Sequence, residues 1–137
     1  MEKIKALANY LECEVDELEQ TSYDENTFEY GSQEYMVLTD SEADERAKED
    51  ILESLWAFNT NFILSHTDIN WDERTEKAIK KMQSELCEDA NEIVKAMIKD
   101  LDEFVEDAIS ADGRGHFLNR YDGEENEEGE YFIYRTN

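Results

Sequence analysis

Apolar residues recur along the chain in two different rhythms. Ile4, Leu7, Ala8, Leu11, Val15 and Leu18 fall at three- and four-residue steps, which predicts a helical stripe broken near Cys13 into two short helices. Thr27-Phe28-Glu29-Tyr30 and Gln33-Glu34-Tyr35-Met36-Val37-Leu38 are rich in aromatic and β-branched residues and flank Gly31-Ser32, which predicts a β-hairpin with a two-residue turn. Thr39 and Glu42 have capping-box spacing, so a second helix is expected to start there. Its inward stripe is Ala43, Ala47, Ile51, Leu55, Phe58 and Phe62, widened by Leu52, Trp56 and Ile63, and it predicts an unbroken helix to about 63 or 65.

A third helix is expected over roughly 72–86, with Ala78, Ile79, Met82 and Leu86 inward. A fourth is expected over roughly 89–110 on Ala90, Ile93, Val94, Met97, Leu101, Phe104, Val105 and Ala108. Asp112-Gly113-Arg114-Gly115 should end it, with Gly113 as the residue just past the helix. Residues 122–130 read as an acidic loop, and Tyr131-Phe132-Ile133-Tyr134 as a last strand. A hairpin alone is marginal in water. The expected fold is therefore α+β, with four or five helices packed on a three-stranded antiparallel sheet made of the hairpin and the C-terminal strand. With 137 residues, no proline and five glycines, no linker divides the chain, and residues 1–137 read as a single acidic domain.

Charge changes the picture more than any motif. Asp and Glu number 37 against 13 Lys and Arg, for a net charge of −24. Hydrophobic residues make up 39% and aromatics 11%, too much for a disordered acidic tail. Direct binding of nucleic acid or an anionic membrane is disfavoured, because the electrostatic contribution from phosphate would be repulsive. No apolar stretch approaches the roughly 20 residues of a membrane span, and no signal-peptide core follows Met1-Glu2-Lys3-Ile4-Lys5, so a cytoplasmic protein is expected. Cys13 and Cys87 lie far apart and read as reduced thiols.

The charge is unevenly spread. Residues 1–53 carry −13 and residues 100–137 carry −9, whereas residues 72–99 carry only −1. If the last strand pairs with the hairpin, the two acidic ends meet. Glu42, Glu45, Glu49 and Glu53 recur at steps of three, four and four, which places them on one helical face at Cβ spacings of about 5–6 Å. Asp102 and Glu106 repeat the pattern on the fourth helix, and Glu124, Glu125, Glu127 and Glu128 crowd the last loop. Duplex DNA carries one charge per roughly 1.7 Å, so a net charge of −24 matches roughly 40 Å of duplex. Such rows suit a Lys/Arg-lined channel; they equally suit a solvated face that serves solubility.

Other chemistry is thin. A zinc site would need Cys13, Cys87, His66 and His116 to converge from four separate segments with no close ligand pair. Asp122 to Glu130 offers oxygen ligands at alternate positions but lacks the EF-hand glycine. Gly113-Arg114-Gly115 follows a helix rather than opening one, unlike a phosphate loop, and Arg114 and His116 are placed to pair with nearby acids. Trp56, Phe58 and Phe62 read as core. Tyr23, Tyr30, Tyr35 and Tyr121 lie among acids, which suits either a protein-binding rim or, for Tyr30 and Tyr35, cross-strand packing. Neither an enzyme nor a cofactor is expected.

The run from Tyr35-Met36-Val37-Leu38-Thr39-Asp40 to Trp56-Ala57-Phe58 resembles small acidic proteins encoded by bacteriophages and prophages. So do Asp112-Gly113-Arg114-Gly115-His116-Phe117-Leu118, Tyr121-Asp122-Gly123-Glu124-Glu125 and Tyr134-Arg135-Thr136-Asn137. The resemblance implies a phage accessory protein in a bacterial cytoplasm and supplies no active site. Its class includes DNA mimics that block restriction enzymes and anti-CRISPR proteins that fill an effector's nucleic-acid channel. The expected function is a non-enzymatic inhibitor of that kind, with Glu42, Glu45, Glu49, Glu53, Asp102, Glu106, Glu124, Glu125, Glu127 and Glu128 as the phosphate-like surface. The alternative is a phage assembly or regulatory module whose acidity serves solubility. Whether the near-neutral residues 72–99 form a homodimer face is left open by the sequence.

Overall fold

The structure, a computed structural model, describes residues 2–137. It is α+β, and it divides into two compact units: Met1–Ala47 with Asp112–Asn137, and Lys48–Ala111.

The first unit is built on a sheet. Strands β1 (Glu19–Gln20), β2 (Thr27–Tyr30), β3 (Gln33–Thr39), β4 (Asn126–Glu128) and β5 (Tyr131–Arg135) form an antiparallel sheet in the order β1-β2-β3-β5-β4. The expected three strands are its centre: β2 and β3 join through Gly31, at φ +61°, and β5 pairs with β3 from Tyr35↔Arg135 to Thr39↔Tyr131. Two short edge strands correct the expected count. Part of the acidic loop is itself a strand, because Asn126–Glu128 folds back on Tyr131–Ile133.

Helix α1 (Lys3–Leu11) covers one sheet face, where Leu7, Ala8 and Leu18 pack with Phe28, Tyr35, Val37 and Ile133. The chain leaves α1 through Glu12 in a left-handed conformation, φ +56°, and this turns Val15 out to 39% exposure against expectation. The intervening residues of β3 and β5 point the other way, and Met36, Leu38 and Tyr134 are also buried. Strand β3 is thus covered on both faces, so Tyr35-Met36-Val37-Leu38 is a continuous apolar run rather than an alternating one. Helix α2 (Asp40–Glu53) starts with the expected box: Thr39 Oγ1 accepts from Glu42 N (3.3 Å), and Glu42 Oε1 accepts from Thr39 N (2.9 Å).

The second unit holds the end of α2, then α3 (Thr60–Ser65), α4 (Glu73–Leu86), α5 (Asn91–Met97) and most of α6 (Leu101–Asp112). Two expected continuous helices are broken. The second stops at Glu53, passes through a 3-10 turn at Leu55–Ala57, and restarts as α3 with Asn59 capping Asn61 N and Phe62 N. The orphaned backbone groups find side chains: Gln83 Nε2 donates to Trp56 O (2.8 Å) and Phe58 O (2.7 Å), Asn91 Nδ2 donates to Leu52 O (2.8 Å), and Asn91 Oδ1 accepts from Trp56 N (3.1 Å). The expected fourth helix is interrupted at Ile98, which is extended, and Asp100 caps α6 by accepting from Glu103 N (3.2 Å). These breaks, with the short α7 (Arg114–Leu118) of the first unit, bring the α-helices to seven among the described residues. The core gathers Ile51, Leu55, Ile63, Leu64, Val94 and Phe104, with Phe58 and Phe62 packed edge-on to Phe104 at 5.1 and 4.9 Å. Expected inward positions Ala78, Leu86 and Ile93 are instead exposed.

Candidate electronegative docking surface

The strand pairing brings residues 1–47 and 112–137, most of the two acidic ends, into one unit. The first unit contains 21 acids and 6 bases, a net charge of −15, and the second contains 16 acids and 7 bases, a net charge of −9. The candidate residues divide between them. Glu42, Glu45, Glu124, Glu125, Glu127 and Glu128 lie in the first unit; Glu49, Glu53, Asp102 and Glu106 lie in the second.

Three of the ten are engaged internally. Glu42 accepts from Lys3 Nζ (2.7 Å) as well as capping α2, and the Lys3 bond first and the Thr39 N–H second hold its carboxyl below the usual range. Asp102 meets Lys48 Nζ at 3.1 Å, an exposed pair of small energetic weight. Glu125 is half-buried against Arg114. The other seven, Glu45, Glu49, Glu53, Glu106, Glu124, Glu127 and Glu128, form no ion pair among the described residues, and all but the half-buried Glu128 are exposed. On α2 this leaves Glu45, Glu49 and Glu53 as a row of unneutralised charge.

Arg114 organises the carboxylates of the first unit. Its Nη1 donates to Asp40 O and Oδ1 (both 2.9 Å) and Asp44 Oδ1 (3.0 Å), Nη2 meets Glu125, and Cζ sits 4.7 Å from the Phe132 ring centroid. Burial alone would lower its ionisation; the bonds from Glu125 and Asp40 outweigh that and push it up. Gly113, at φ +83°, lets α6 stop and α7 start. The Gly-Arg-Gly motif follows α6 as expected but, contrary to expectation, also opens α7, and its arginine lies among acids. The sequence places Arg114 in reach of acids but gives no sign that Asp40 and Asp44, 74 and 70 residues away, are its partners.

The thin candidates for metal chemistry resolve into local structure. Asn119 Oδ1 accepts from Tyr121 N and Asp122 N (both 2.9 Å), and Asp122 Oδ1 from Glu124 N (3.0 Å), which shapes the start of the acidic segment. His66 is buried between Phe62 and Phe104, with Nε2 3.1 Å from Asp107, while His116 packs edge-on to Phe117. Among the described residues no group of three or more His, Cys, Asp or Glu side chains is arranged to hold a metal ion, and no helix is long and apolar enough to cross a membrane.

The expected tyrosine rim divides. Tyr23 and Tyr121 are exposed at 68% and 60%, whereas Tyr35 is buried and Tyr30 packs against the α1-side core. Tyr23 donates its hydroxyl to Glu34, which pushes its ionisation up to about 12. No protein-family model, curated protein or solved structure matches the chain.

Proposed function

We propose that this is a non-enzymatic inhibitor that mimics a nucleic-acid backbone and occupies the basic nucleic-acid-binding surface of a host defence protein. A phage-encoded protein aimed at a CRISPR effector or a restriction enzyme is the favoured form. The observation that carries the reading is the row of exposed carboxylates on α2, Glu45, Glu49 and Glu53, left without cation partners in a chain of net charge −24. A helix holds such charges at fixed spacing, and Lys/Arg-rich channels bind fixed polyanions while releasing counterions. The same field speeds encounter with a basic partner.

The test is a tagged pull-down from a CRISPR-bearing bacterial lysate at low and high salt, read by mass spectrometry. Capture of a nucleic-acid enzyme that is lost at high salt and displaced by added DNA or guide RNA is the expected result. Salt-insensitive capture of a phage structural protein or a transcription factor would overturn it. That second outcome would favour an assembly or regulatory module, for which Leu86 and Ile93, 42% and 46% exposed within the near-neutral residues 72–99, are the specific motive.

A further inference from the structure

The chain contains two Asp-Gly pairs, Asp112-Gly113 and Asp122-Gly123. An aspartyl side chain can close a five-membered ring on the backbone nitrogen of the residue after it. Glycine in that place favours closure, because it carries no side chain to block the approach and permits the backbone conformations the ring needs. The two pairs share this sequence, but only one has the geometry.

Asp112 is the last residue of α6. Side chains on a helix lean toward its N-terminus, so the Asp112 carboxyl is carried away from the Gly113 nitrogen. Asp122 lies in the turn between α7 and β4, and its side chain bends the other way. Its Oδ1 accepts from Glu124 N, two residues ahead, at 3.0 Å. That bond folds the carboxyl forward over the Gly123 peptide. Asp122 N donates to Asn119 Oδ1 at 2.9 Å, so the bend is held from both sides. Asp122 and Gly123 are exposed, and nothing lies within 4 Å of where a Cβ on Gly123 would stand, so water reaches the pair.

We propose that Asp122 is a site of spontaneous backbone modification, where the carboxyl closes on the Gly123 nitrogen to a succinimide that reopens as isoaspartate. The Gly123 nitrogen bonds to Asp122 Cγ, and its proton leaves with the hydroxyl of the protonated carboxyl as one water. Water then adds to one of the two ring carbonyls. Opening at Cγ restores aspartate. Opening at the backbone carbonyl gives isoaspartate, whose main chain runs through Cβ and Cγ. Water is the only co-reactant.

The longer main chain has little room. A Cβ on Gly115 would meet Gly123 O and come within 2.8 Å of Glu124 C and Glu125 N, so the backbone of 123–125 already lies against α7. In the same stretch Asn119 Nδ2 donates to Glu124 O at 2.8 Å, and Glu125 meets Arg114. Isoaspartate at 122 therefore displaces the segment that carries Glu124 and Glu125 and loosens the seat of Arg114. The chemistry is independent of the docking role given to these carboxylates; only its effect on docking rests on that reading.

The test is incubation of the full chain for weeks at mildly acid pH, folded and in urea, followed by trypsin. Residues 100–114 and 121–135 leave as separate peptides, each with one Asp-Gly pair. Isoaspartate splits a peptide into two chromatographic peaks of equal mass, and electron-transfer fragmentation places it. In the folded chain it should accumulate about tenfold faster at 122 than at 112, which corresponds to about 1.4 kcal/mol of barrier gained by orientation. In urea both pairs lose their geometry, and the two rates should converge. Asp122→Glu keeps the charge but cannot close a five-membered ring, and it should abolish the 122 signal. No isoaspartate at 122 in the folded chain, or a rate no greater than at 112, would overturn the proposal. So would a ratio unchanged by urea, which would make the difference a property of local sequence alone. None of these outcomes depends on capture of a nucleic-acid enzyme, so failure here is distinguishable from failure of the mimicry reading.

Discussion

Arg114 and Gly115 are neighbours with opposite requirements. Arg114 needs its full reach, because one guanidinium serves Asp40, Asp44 and Glu125 and stacks on Phe132. Gly115 needs to have no side chain. A Cβ there would meet Gly123 O and come within 2.8 Å of Glu124 C and Glu125 N, all backbone atoms that cannot swing aside. Gly115→Ala should therefore destabilise the first unit by about 1–3 kcal/mol in urea unfolding; a variant as stable as the parent would show that the turn at 123–125 gives way freely. Arg114→Gln should cost about 2 kcal/mol. That is less than the loss of a fully buried pair, because Asp40 and Asp44 are 75% and 62% exposed and can rehydrate.

At the scale of elements, the helix starts show what a carboxylate does when it is not free. Glu42 caps α2 and holds Lys3, and its carboxyl is lowered by those bonds. Asp24 is lowered too: burial pushes it up, but the Asn26 N–H, the Thr27 hydroxyl and Arg46 outweigh that. A carboxyl lowered in the folded state adds stability above its unfolded value, roughly pH 4, and loses it as pH falls through the folded value. Glu42→Gln should thus cost about 1 kcal/mol at pH 7, small because the side chain is 39% exposed. The gap between parent and variant should close as pH falls below about 4. A gap that persists at pH 2 would mean that the glutamate acts through shape rather than charge.

Local signals of this kind were legible in the sequence: the Thr39–Glu42 box, the Gly31 turn and the apolar β3 run each predicted its element. The helix breaks were not. A stripe of apolar residues runs on in phase through Ser54–Asn59, and the backbone carbonyls around the break are met by Gln83 and Asn91 from remote segments. Likewise the exposure of Glu45, Glu49 and Glu53 followed from helical spacing, while the internal use of Glu125 depended on an arginine delivered by α7 and could not be read from the loop itself.

For the molecule as a whole, surplus charge should dominate the response to salt. Ion pairs such as Lys3–Glu42 are weakened by screening, but most are exposed and of small weight beside the self-repulsion of a net charge of −24. Raising NaCl from 0.05 to 0.5 M at pH 7 should raise the melting temperature by about 3–5 °C as self-repulsion is screened. A fall would mean that the ion pairs outweigh the repulsion. A chain that keeps such repulsion gains a long-range attraction to basic surfaces, and the exposed row on α2 is where that attraction has a fixed geometry.

The most direct measurement is the affinity of the Glu45→Lys, Glu49→Lys double variant for the enzyme captured by the parent chain, at matched ionic strength. Both positions are exposed and form no ion pair among the described residues, so the fold should be unchanged by circular dichroism and thermal melting. Mimicry of a nucleic-acid backbone requires affinity to fall at least about 100-fold and its salt dependence to become shallower. Unchanged affinity and an unchanged salt slope in a folded variant would contradict it.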